Sequence, residues 1–228
     1  MMYDLLLELP VFQGLSHEQL TLILEKVPFH FKKFRPNEYL VKSGDACEEV
    51  FFILSGRVRM ITPTFLDSVL IAEDFEAPHT IPFLHLFGRE TYSRSSIYAQ
   101  GPVGAMTLDK ENFLRMIENN RLMLINVLNI LSSGAQKQHM ALDAAGESKS
   151  FMRLASWLLE YTTRPAKNII IDADIKDWCE MLSLDENQFA EALNKLTEAK
   201  CIECEEGKVK LIDRYGLQTF VSRNRAQK

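Results

Sequence analysis

The spacing of hydrophobic residues changes twice along the chain, and each change predicts a different kind of structure. After Ser16 the apolar residues follow a helical spacing, and Ser16 with Gln19 forms a capping-box pattern at the start of that helix. From Phe29 to Leu108, short apolar or alternating runs such as EVFFILSG and VGAMTLD are separated by Pro, Gly and Asp. Such runs are typical of a compact antiparallel sheet or barrel, so we expect a β domain over this range.

The chain from Lys110 to about Ala144 contains no proline and predicts one long helix. Apolar residues recur there at spacings near three and four, at Phe113, Leu114, Ile117, Leu124, Leu128 and Leu131. The second half of the helix adds small residues to this stripe, which suits close packing against another helix. Two interpretations stay open: the helix lies on its own domain, or it forms a seam between two copies of the chain. Gly146 and Ser148 then mark a break and a candidate hinge.

The last third of the chain predicts a helix, a short strand, two helices joined by a tight turn, and two further strands. Helix, turn, helix and hairpin in this order is the arrangement of a winged helix-turn-helix. Asp185 and Gln188 form a second capping-box pattern, at the start of the second of the two helices. A winged helix that only docks proteins is the alternative to one that binds DNA.

Composition and charge restrict the functions that this chain can have. Its 228 residues, 46% of them hydrophobic, are enough for packed cores in one large or two modest domains. The net charge of −5 means that any contact with nucleic acid has to come from a local basic patch. No segment is long and apolar enough to span a membrane, and the opening MMYDLLLELP lacks the basic start of an export signal. We therefore expect a cytoplasmic protein without a membrane partner.

Four scattered cysteines, Cys47, Cys179, Cys201 and Cys204, are expected to remain thiols. Cys201 and Cys204 lie three residues apart in a predicted strand and would face opposite sides, which disfavours a shared metal ion. An iron–sulfur cluster needs about four cysteines placed together, and the β domain holds only Cys47. No phosphate-binding loop, dinucleotide glycine motif, metallohydrolase motif or nucleophile–base pair is found, so no enzymatic activity is predicted.

The order of these parts resembles the Crp/Fnr family of bacterial transcription regulators. The stretch VFQGLSHEQL is similar to the family's N-terminal helical opening. RPNEYLVKSGDACEEVFFILSGRVRMI is similar to the first strands of its cyclic-nucleotide-binding β-roll, with Gly44-Asp45 and Gly56 at the turns. The resemblance extends from Leu9 to Leu217 and implies a homodimer joined along the long helix. Effector binding in the β-roll would reorient two winged helices on a pseudo-palindromic DNA site, about a helical turn apart.

The resemblance implies an α+β chain in three parts. These are a jelly-roll-like β-roll effector domain over residues 1–109, a long dimerisation helix and hinge over 110–146, and a winged helix-turn-helix DNA-binding domain over 147–228. The hinge would lie near residues 146–150, and the dimer seam would be carried by Leu124, Leu128 and Leu131. The implied partners are double-stranded DNA, a second copy of the chain and RNA polymerase. The effector is an unknown small molecule, and no cofactor or metal is assigned.

The stretch HTIPFLHLFGRETYSRSS, residues 79–96, corresponds to the loop that holds cyclic AMP in some family members. There, an acid in a Gly-Glu-Leu start takes the ribose hydroxyl, and the arginine of an Arg-Ser pair takes the phosphate. Here Pro82 and Phe83 stand where the glycine and the acid are expected, and Ser93 rather than Arg94 falls at the arginine's position. Cyclic AMP is therefore not the expected ligand.

We predict an altered effector pocket that either accepts an apolar ligand or is filled by its own side chains. Its candidate residues are Phe83, Leu84, His85, Phe87, Arg89, Arg94 and Ser95, with Tyr92 at the rim. His79 and His85 are candidate axial ligands of a haem, although two histidines in a loop are more often surface or hydrogen-bonding residues.

The predicted recognition helix departs from the family pattern, which begins with an Arg-Glu pair and has another arginine one turn later. Those positions correspond to Glu186, Asn187 and Glu191. Carboxylates repel phosphates, but Glu can accept from cytosine, and Asn187 or Gln188 can pair with adenine. We therefore take Glu186, Asn187, Gln188 and Glu191 as base-reading candidates and expect an unusual DNA site.

Lysines that flank the predicted helix-turn-helix are the candidates for phosphate contacts. They are Lys176, Lys195, Lys200, Lys208 and Lys210, together with the SRNRAQK tail. The alternative reading of the whole chain is a degenerate sensor or protein-docking module without useful DNA affinity.

Overall fold

The computed structural model describes residues 2–81, 83–144, 147–163, 166–205 and 207–225, without the side chains of 137–144. The chain forms two compact units, one of residues 1–60 and 75–134 and the other of residues 61–74 and 135–228. The predicted α+β class with an antiparallel sheet core is confirmed. The three predicted ranges, 1–109, 110–146 and 147–228, stay predictions. Pro82, Gly146 and residues 226–228 of the predicted basic tail lie outside the described residues.

The first unit opens with two short helices, α1 (Met2–Glu8) and α2 (His17–Lys26), separated by a 3-10 turn. The Ser16 hydroxyl accepts from the Gln19 N–H at 3.2 Å, and the Gln19 side chain accepts from the Ser16 N–H at 2.9 Å. The predicted capping box is therefore confirmed, and it satisfies donors that the first helical turn leaves unpaired.

Antiparallel strands form the main body of the first unit. One sheet has the order β1 (His30–Phe34), β8 (Val103–Asp109), β3 (Glu49–Ser55) and β6 (His79–Thr80). A second pairing joins β2 (Tyr39–Val41) to β7 (Ser96–Ala99). The predicted turn at Gly56 has φ of +89°, and a Cβ there would collide with the Pro102 carbonyl oxygen, so glycine is required on both grounds.

Two further strands, β4 (Arg57–Pro63) and β5 (Leu70–Glu76), are divided between the two units. Residues 57–60 and 75–76 belong to the first unit, whereas 61–74 belong to the second. The hydrophobic pattern did not indicate this division. Apolar and polar residues alternate along both strands in the same way as along the other strands of the predicted β domain.

The predicted single helix over residues 110–144 is wrong, because the chain forms two helices there. α3 (Lys110–Glu118) ends at Asn119, and α4 (Arg121–Ala144) begins after Asn120. The Asn119 side chain donates to the Arg115 carbonyl at 2.7 Å, and the Asn120 side chain accepts from the N–H groups of Leu122 and Met123, each at 3.1 Å. Two adjacent asparagines thus end one helix and cap the next, although the apolar spacing continues across them.

The second unit contains the remaining elements. They are α5 (Ser150–Tyr161), β9 (Lys167–Asp172), α6 (Ile175–Leu182), α7 (Glu186–Glu198), β10 (Ile202–Glu205), β11 (Lys208–Leu211) and α8 (Arg214–Arg225). All were predicted except α8, which covers part of the segment interpreted as a basic tail. β10, β11, β9 and β5 pair as neighbours in this order, and all are antiparallel.

Aromatic side chains form the centre of the second unit's core. Trp178 of α6 lies edge-on to Trp157 of α5 at 5.1 Å between ring centroids and stacks on Phe189 of α7 at 5.5 Å. All three rings are buried, and such pairs contribute about 0.5–1.5 kcal/mol each beyond the burial of their area. One cluster of rings thus fixes the positions of three helices.

His79 is half-buried in the first unit. Its ring stacks on Phe75 with centroids 4.2 Å apart, and its buried Nε2 has no hydrogen-bond partner among the described residues. Burial lowers the pKa of His79 from its ordinary value to about 4. The folded chain therefore holds this imidazole neutral at pH values where the unfolded chain protonates it.

We expect this histidine to make the fold sensitive to acid. Its contribution is fully present above the unfolded pKa near 6.5 and is lost as the pH falls towards 4, by up to about 3 kcal/mol. Urea unfolding of a His79→Phe variant should show a weaker loss of stability between pH 7 and pH 4.5 than the parent chain. His30→Gln, at an exposed position, is the control, and equal pH dependence in all three proteins would contradict the assignment.

Candidate effector loop and nucleic-acid interface

The candidate effector loop begins with an apolar segment that packs into the first unit. The Phe83 ring is buried and lies 5.4 Å from the Phe113 ring of α3. The next residue, Leu84, is exposed, and its Cδ2 would be 3.3 Å from a Cβ placed on Gly134 of α4. Phe83, predicted to stand where a ribose-binding acid is expected, thus fills core space and offers no hydrogen-bond acceptor.

The second half of the loop runs beside residues 44–47. The Ser93 N–H donates to the Asp45 carbonyl at 2.8 Å, and the Gly44 N–H donates to the Ser93 carbonyl at 2.7 Å. The Ser93 hydroxyl donates to the Ser95 carbonyl, also at 2.8 Å. Arg94 is exposed, and Ser95 is half-buried. The residue at the expected phosphate-binding position is therefore a serine whose hydroxyl is used within the loop.

The remaining loop candidates have separate surroundings. His85 is half-buried, with Nδ1 3.2 Å from the Glu90 carbonyl oxygen. The Phe87 ring lies 5.2 Å from the Lys110 ammonium, which is a cation–π distance, and Arg89 is exposed. His79 and His85, the two candidate haem ligands, thus have different environments: His79 is stacked on Phe75, and His85 is bonded to its own loop.

The helix-turn-helix is formed by α6, a three-residue turn and α7. Ser183 ends α6 in the left-handed conformation, with φ of +51°, and the Leu184 N–H donates to the Cys179 carbonyl at 3.0 Å. Asp185 caps α7 by accepting from the Gln188 N–H at 2.8 Å, and Gln188 Oε1 accepts from the Asp185 N–H at 3.2 Å. The second predicted capping box is confirmed.

All four base-reading candidates lie on α7 and are exposed. Glu186 and Asn187 occupy the first turn, followed by Gln188 and then Glu191 one turn further along. Gln188 differs from the others because its side-chain oxygen already serves the capping box. Its NH₂ group keeps the capacity to donate, whereas Asn187 keeps both halves of its amide for the bidentate pairing that adenine accepts.

The five candidate phosphate-binding lysines are all exposed, but two have defined neighbours. The Lys208 ammonium is 3.1 Å from an Asp172 carboxylate oxygen. The Lys195 ammonium lies 3.6 Å from the centroid of the Phe151 ring. Cross-strand register also places Lys208 opposite Glu205 and Lys210 opposite Glu203 in the wing. This arrangement brings acidic groups close to the predicted phosphate contacts.

Arg153 joins Glu147, in the predicted hinge segment, to the helix-turn-helix, a contact that was not predicted. Its Nε donates to the Glu147 carbonyl at 2.6 Å, and its Nη1 donates to the Leu182 and Ser183 carbonyls at 3.2 and 2.8 Å. The Glu147 carboxylate also accepts from Arg225 of α8 at 3.0 Å. The only hint in the sequence is an arginine inside an otherwise apolar helical stretch, FMRLASWLL.

The predicted dimer residues lie on the part of α4 that belongs to the first unit. Leu128 is 53% exposed and Leu124 is exposed to a lesser degree, whereas Leu131 is half-buried against the core. Leu122 and Ile125 are also exposed, so several large apolar side chains of this helix face solvent. This exposed apolar surface of α4 is the candidate surface for association.

Neither the cysteines nor a group of metal-ligand side chains forms a further candidate site in the described part of the chain. All four thiols are free, and burial raises the pKa of the Cys201 thiol. Within the described part of the chain, no three His, Cys, Asp or Glu side chains are grouped as metal ligands. Among the same residues, no helix has both the length and the hydropathy required to cross a bilayer.

Comparisons with known proteins agree on the type of fold. Residues 31–120 match the family model of the cyclic nucleotide-binding domain. The catabolite activator protein of Thermus thermophilus is 16% identical, with 94% of this chain and 99% of that one covered at a TM-score of 0.53. A CooA variant from Carboxydothermus hydrogenoformans is 18% identical, with 90% and 92% covered at a TM-score of 0.50. No curated protein matches the chain in sequence.

The similarity to solved structures extends over nearly the whole chain, whereas the family model covers the β-roll and α3. At these identities the solved structures establish the fold. Residues 31–120 therefore match the cyclic nucleotide-binding domain family, and the chain has the fold seen in the Thermus thermophilus catabolite activator protein and in CooA.

Proposed function

We propose that this chain is an effector-responsive, homodimeric transcription regulator that binds double-stranded DNA through α7. The observation that carries the proposal is the placement of α7. Its apolar side is held by buried Phe189 and by the tryptophans beneath it, whereas Glu186, Asn187 and Glu191 face solvent together. A helix presented in this way after a tight turn can enter the major groove with its first turns. We assign no enzymatic activity.

The contacts to DNA would divide between bases and phosphates. Asn187 would read an adenine, and Glu186 or Glu191 would accept from the amino group of a cytosine. Lys176, Lys200 and Lys210 would supply phosphate contacts. Lys195 and Lys208 would also contact phosphates if they leave the Phe151 ring and the Asp172 carboxylate, respectively. Since Glu203, Glu205 and Asp172 lie near the wing lysines, the electrostatic attraction to non-specific DNA should be weak.

Dimerisation would cover the exposed apolar residues of α4. Leu124 and Leu128 would meet their counterparts across a two-fold axis, with Leu131 at the edge of the contact. A two-fold dimer would present two copies of α7 to a pseudo-palindromic operator. RNA polymerase stays a predicted partner, and a cytoplasmic location, where genomic DNA is accessible, is part of the proposal.

The effector proposed for the β-roll is a small apolar molecule, with a self-filled pocket as the alternative. The residues present do not suit cyclic AMP. Phe83 is packed into the core where a ribose-binding acid would be needed, and Ser93 stands where the phosphate-binding arginine would be. We therefore base no part of the mechanism on a bound cyclic nucleotide.

A second function is supported by the acidic character of the α7 surface. Asp185, Glu186 and Glu191 lie at its exposed N-terminal part, and like charges repel the DNA backbone. A protein-docking or sensing module without useful DNA affinity would have such a surface. Salt-sensitive, sequence-dependent DNA binding separates the two functions, because the module would show none.

Asn187→Ala should relax the base preference at particular operator positions. The cost should be roughly 1–3 kcal/mol on the preferred sequence and close to zero on sequences altered at the base that Asn187 reads. Selection from a random duplex pool, followed by affinity measurements on single-base variants, checks this. Asn194→Ala, an exposed site further along α7, is the control. Equal loss on every sequence would refute the base-reading role.

Charge reversal at Lys200 and Lys210 should weaken DNA binding on all sequences alike. Each lost phosphate contact should reduce the slope of log affinity against log salt by about 0.9. Titrations of labelled duplex at several salt concentrations measure this slope. Lys26→Glu in α2 changes the net charge of the chain by the same amount as a single reversal, away from α7. A similar loss in that control would assign the effect to overall charge.

Leu128→Glu should weaken the dimer, because it places charge in the proposed apolar seam. Sedimentation equilibrium at micromolar concentration should shift from dimer towards monomer, while circular dichroism stays unchanged. Leu22→Glu, which replaces an exposed leucine of α2, should leave the dimer intact. An unchanged mass for the Leu128 variant would reject this seam.

A further inference from the structure

Two tyrosines lie side by side on the outer face of the first unit. Tyr39 of β2 is opposite Tyr98 of β7, and their ring centroids are 5.8 Å apart at an interplanar angle of 61°. Ile97 and Ala99 of β7 are buried, so Tyr98 between them is directed away from the core. Tyr39 is 49% exposed, although its ring is large and mostly apolar. The pair therefore presents aromatic surface to solvent.

A lysine lies against the first of these rings. The Lys42 ammonium is 5.5 Å from the centroid of the Tyr39 ring, which is a cation–π distance, and the lysine is exposed. In the described part of the chain, β2 is the terminal strand of its sheet. The ring and the ammonium thus lie together at an open edge that a ligand can approach.

Two arginines border the tyrosine pair on its other side, on β4, which is the neighbour of β7. Val58 and Met60 of β4 are buried, so the alternate residues Arg57 and Arg59 lie on the outer face, as Tyr98 does on β7. The Arg57 side chain is 52% exposed, and its Nε is 3.8 Å from a carboxylate oxygen of Glu76. At this exposure and separation, the guanidinium can still contact a second anion.

Exposed aromatic rings and cations on one sheet face suit single-stranded nucleic acid. Unpaired bases stack on aromatic rings, and the phosphates that connect them contact cations beside the rings. A cross-strand tyrosine pair can also serve the stability of a sheet alone, but that role requires no cations around it. An acidic peptide would satisfy the cations and make no use of the rings.

We propose that this surface binds single-stranded nucleic acid, either RNA or DNA. The residues of this tyrosine platform are Tyr39, Lys42, Arg57, Arg59 and Tyr98. A duplex does not fit the platform in the same way, because its bases are stacked on one another and their faces are covered. The platform belongs to the first unit, so this activity is separate from the duplex binding proposed for α7.

Fluorescence anisotropy of the full chain with labelled oligothymidylate and oligouridylate at low salt tests the binding. Tyr39→Leu should weaken it about fivefold or more, because a stacking ring is lost. Tyr39→Phe should bind as the parent does, because it keeps the face of the ring. Phe31→Leu, at an exposed aromatic residue in the other sheet, is the matched control. No binding by the parent chain, or equal loss in both leucine variants, would overturn the proposal.

The salt dependence separates the phosphate contacts from stacking. Lys42→Gln should reduce the slope of log affinity against log salt by about 0.7, the value for one contact to a single strand. Tyr39→Leu should lower the affinity and leave the slope unchanged, and Lys33→Gln, at an exposed lysine of β1, should change neither. Displacement of the oligonucleotide by polyglutamate as readily as by unlabelled oligothymidylate would instead assign the surface to an acidic protein.

Cross-linking locates the bound strand on the unmodified chain and does not depend on the folding of any variant. An oligonucleotide that contains bromouracil would be irradiated in the complex, and the cross-linked peptide would be identified by mass spectrometry. The platform predicts cross-links at Tyr39 or Tyr98. Cross-links confined to α7 and the wing would contradict it.

The platform and α7 can be tested independently. Tyr39→Leu should leave the affinity for selected operator duplex unchanged, and Asn187→Ala should leave single-strand binding unchanged. If the parent chain binds no duplex, the proposed function fails, and the single-strand measurements still decide the platform. Loss of single-strand binding in Asn187→Ala as large as in Tyr39→Leu would overturn the platform as a separate site.

Discussion

The packing of Trp178 is the interaction on which the proposed DNA-binding surface depends. This ring contacts Trp157 of α5 on one side and Phe189 of α7 on the other, and it is almost fully buried. Because the three rings fix the angle between their helices, they determine which residues of α7 face outwards. The same core holds Val69 and Ile71, so the orientation of α7 is linked to a segment from the β-roll sequence.

Polar contacts around this core connect the segment after α4 to α6 and α8. Arg153 binds the carbonyls at the end of α6 and the carbonyl of Glu147, and Glu147 in turn binds Arg225 of α8. The segment after α4 is therefore attached to the helix-turn-helix from its first described residue.

Local sequence signals predicted the elements well. The capping boxes at Ser16 and Asp185 depend on residues three apart, so the sequence alone determines them. The strands of the β-roll and the helix-turn-helix follow from their hydrophobic spacing. The break between α3 and α4 was not predicted, because the apolar spacing continues through it and only the side-chain hydrogen bonds of Asn119 and Asn120 end the helix.

Contacts between residues far apart in the sequence could not be predicted from it. The pairing of β5 with β9 joins residues about a hundred positions apart, and the alternation within β5 is compatible with many partners. The adjacent acids Glu73 and Asp74 inside an apolar strand were the available signal, since buried acids require polar partners. The four base-reading candidates lie on the helix for which they were predicted, α7. The use of Gln188 in a cap and of Lys208 in an ion pair depends on neighbours that spacing does not reveal.

Selective recovery of genomic DNA tests the central claim most directly. The purified full chain would be incubated with sheared genomic DNA, eluted with increasing salt, and the retained fragments sequenced. A DNA-reading dimer predicts enrichment of a two-fold-symmetric motif in the high-salt fractions, with half-sites about one helical turn apart. Retention only at low salt, without a common motif and with or without candidate effectors, would contradict the account and favour the docking module.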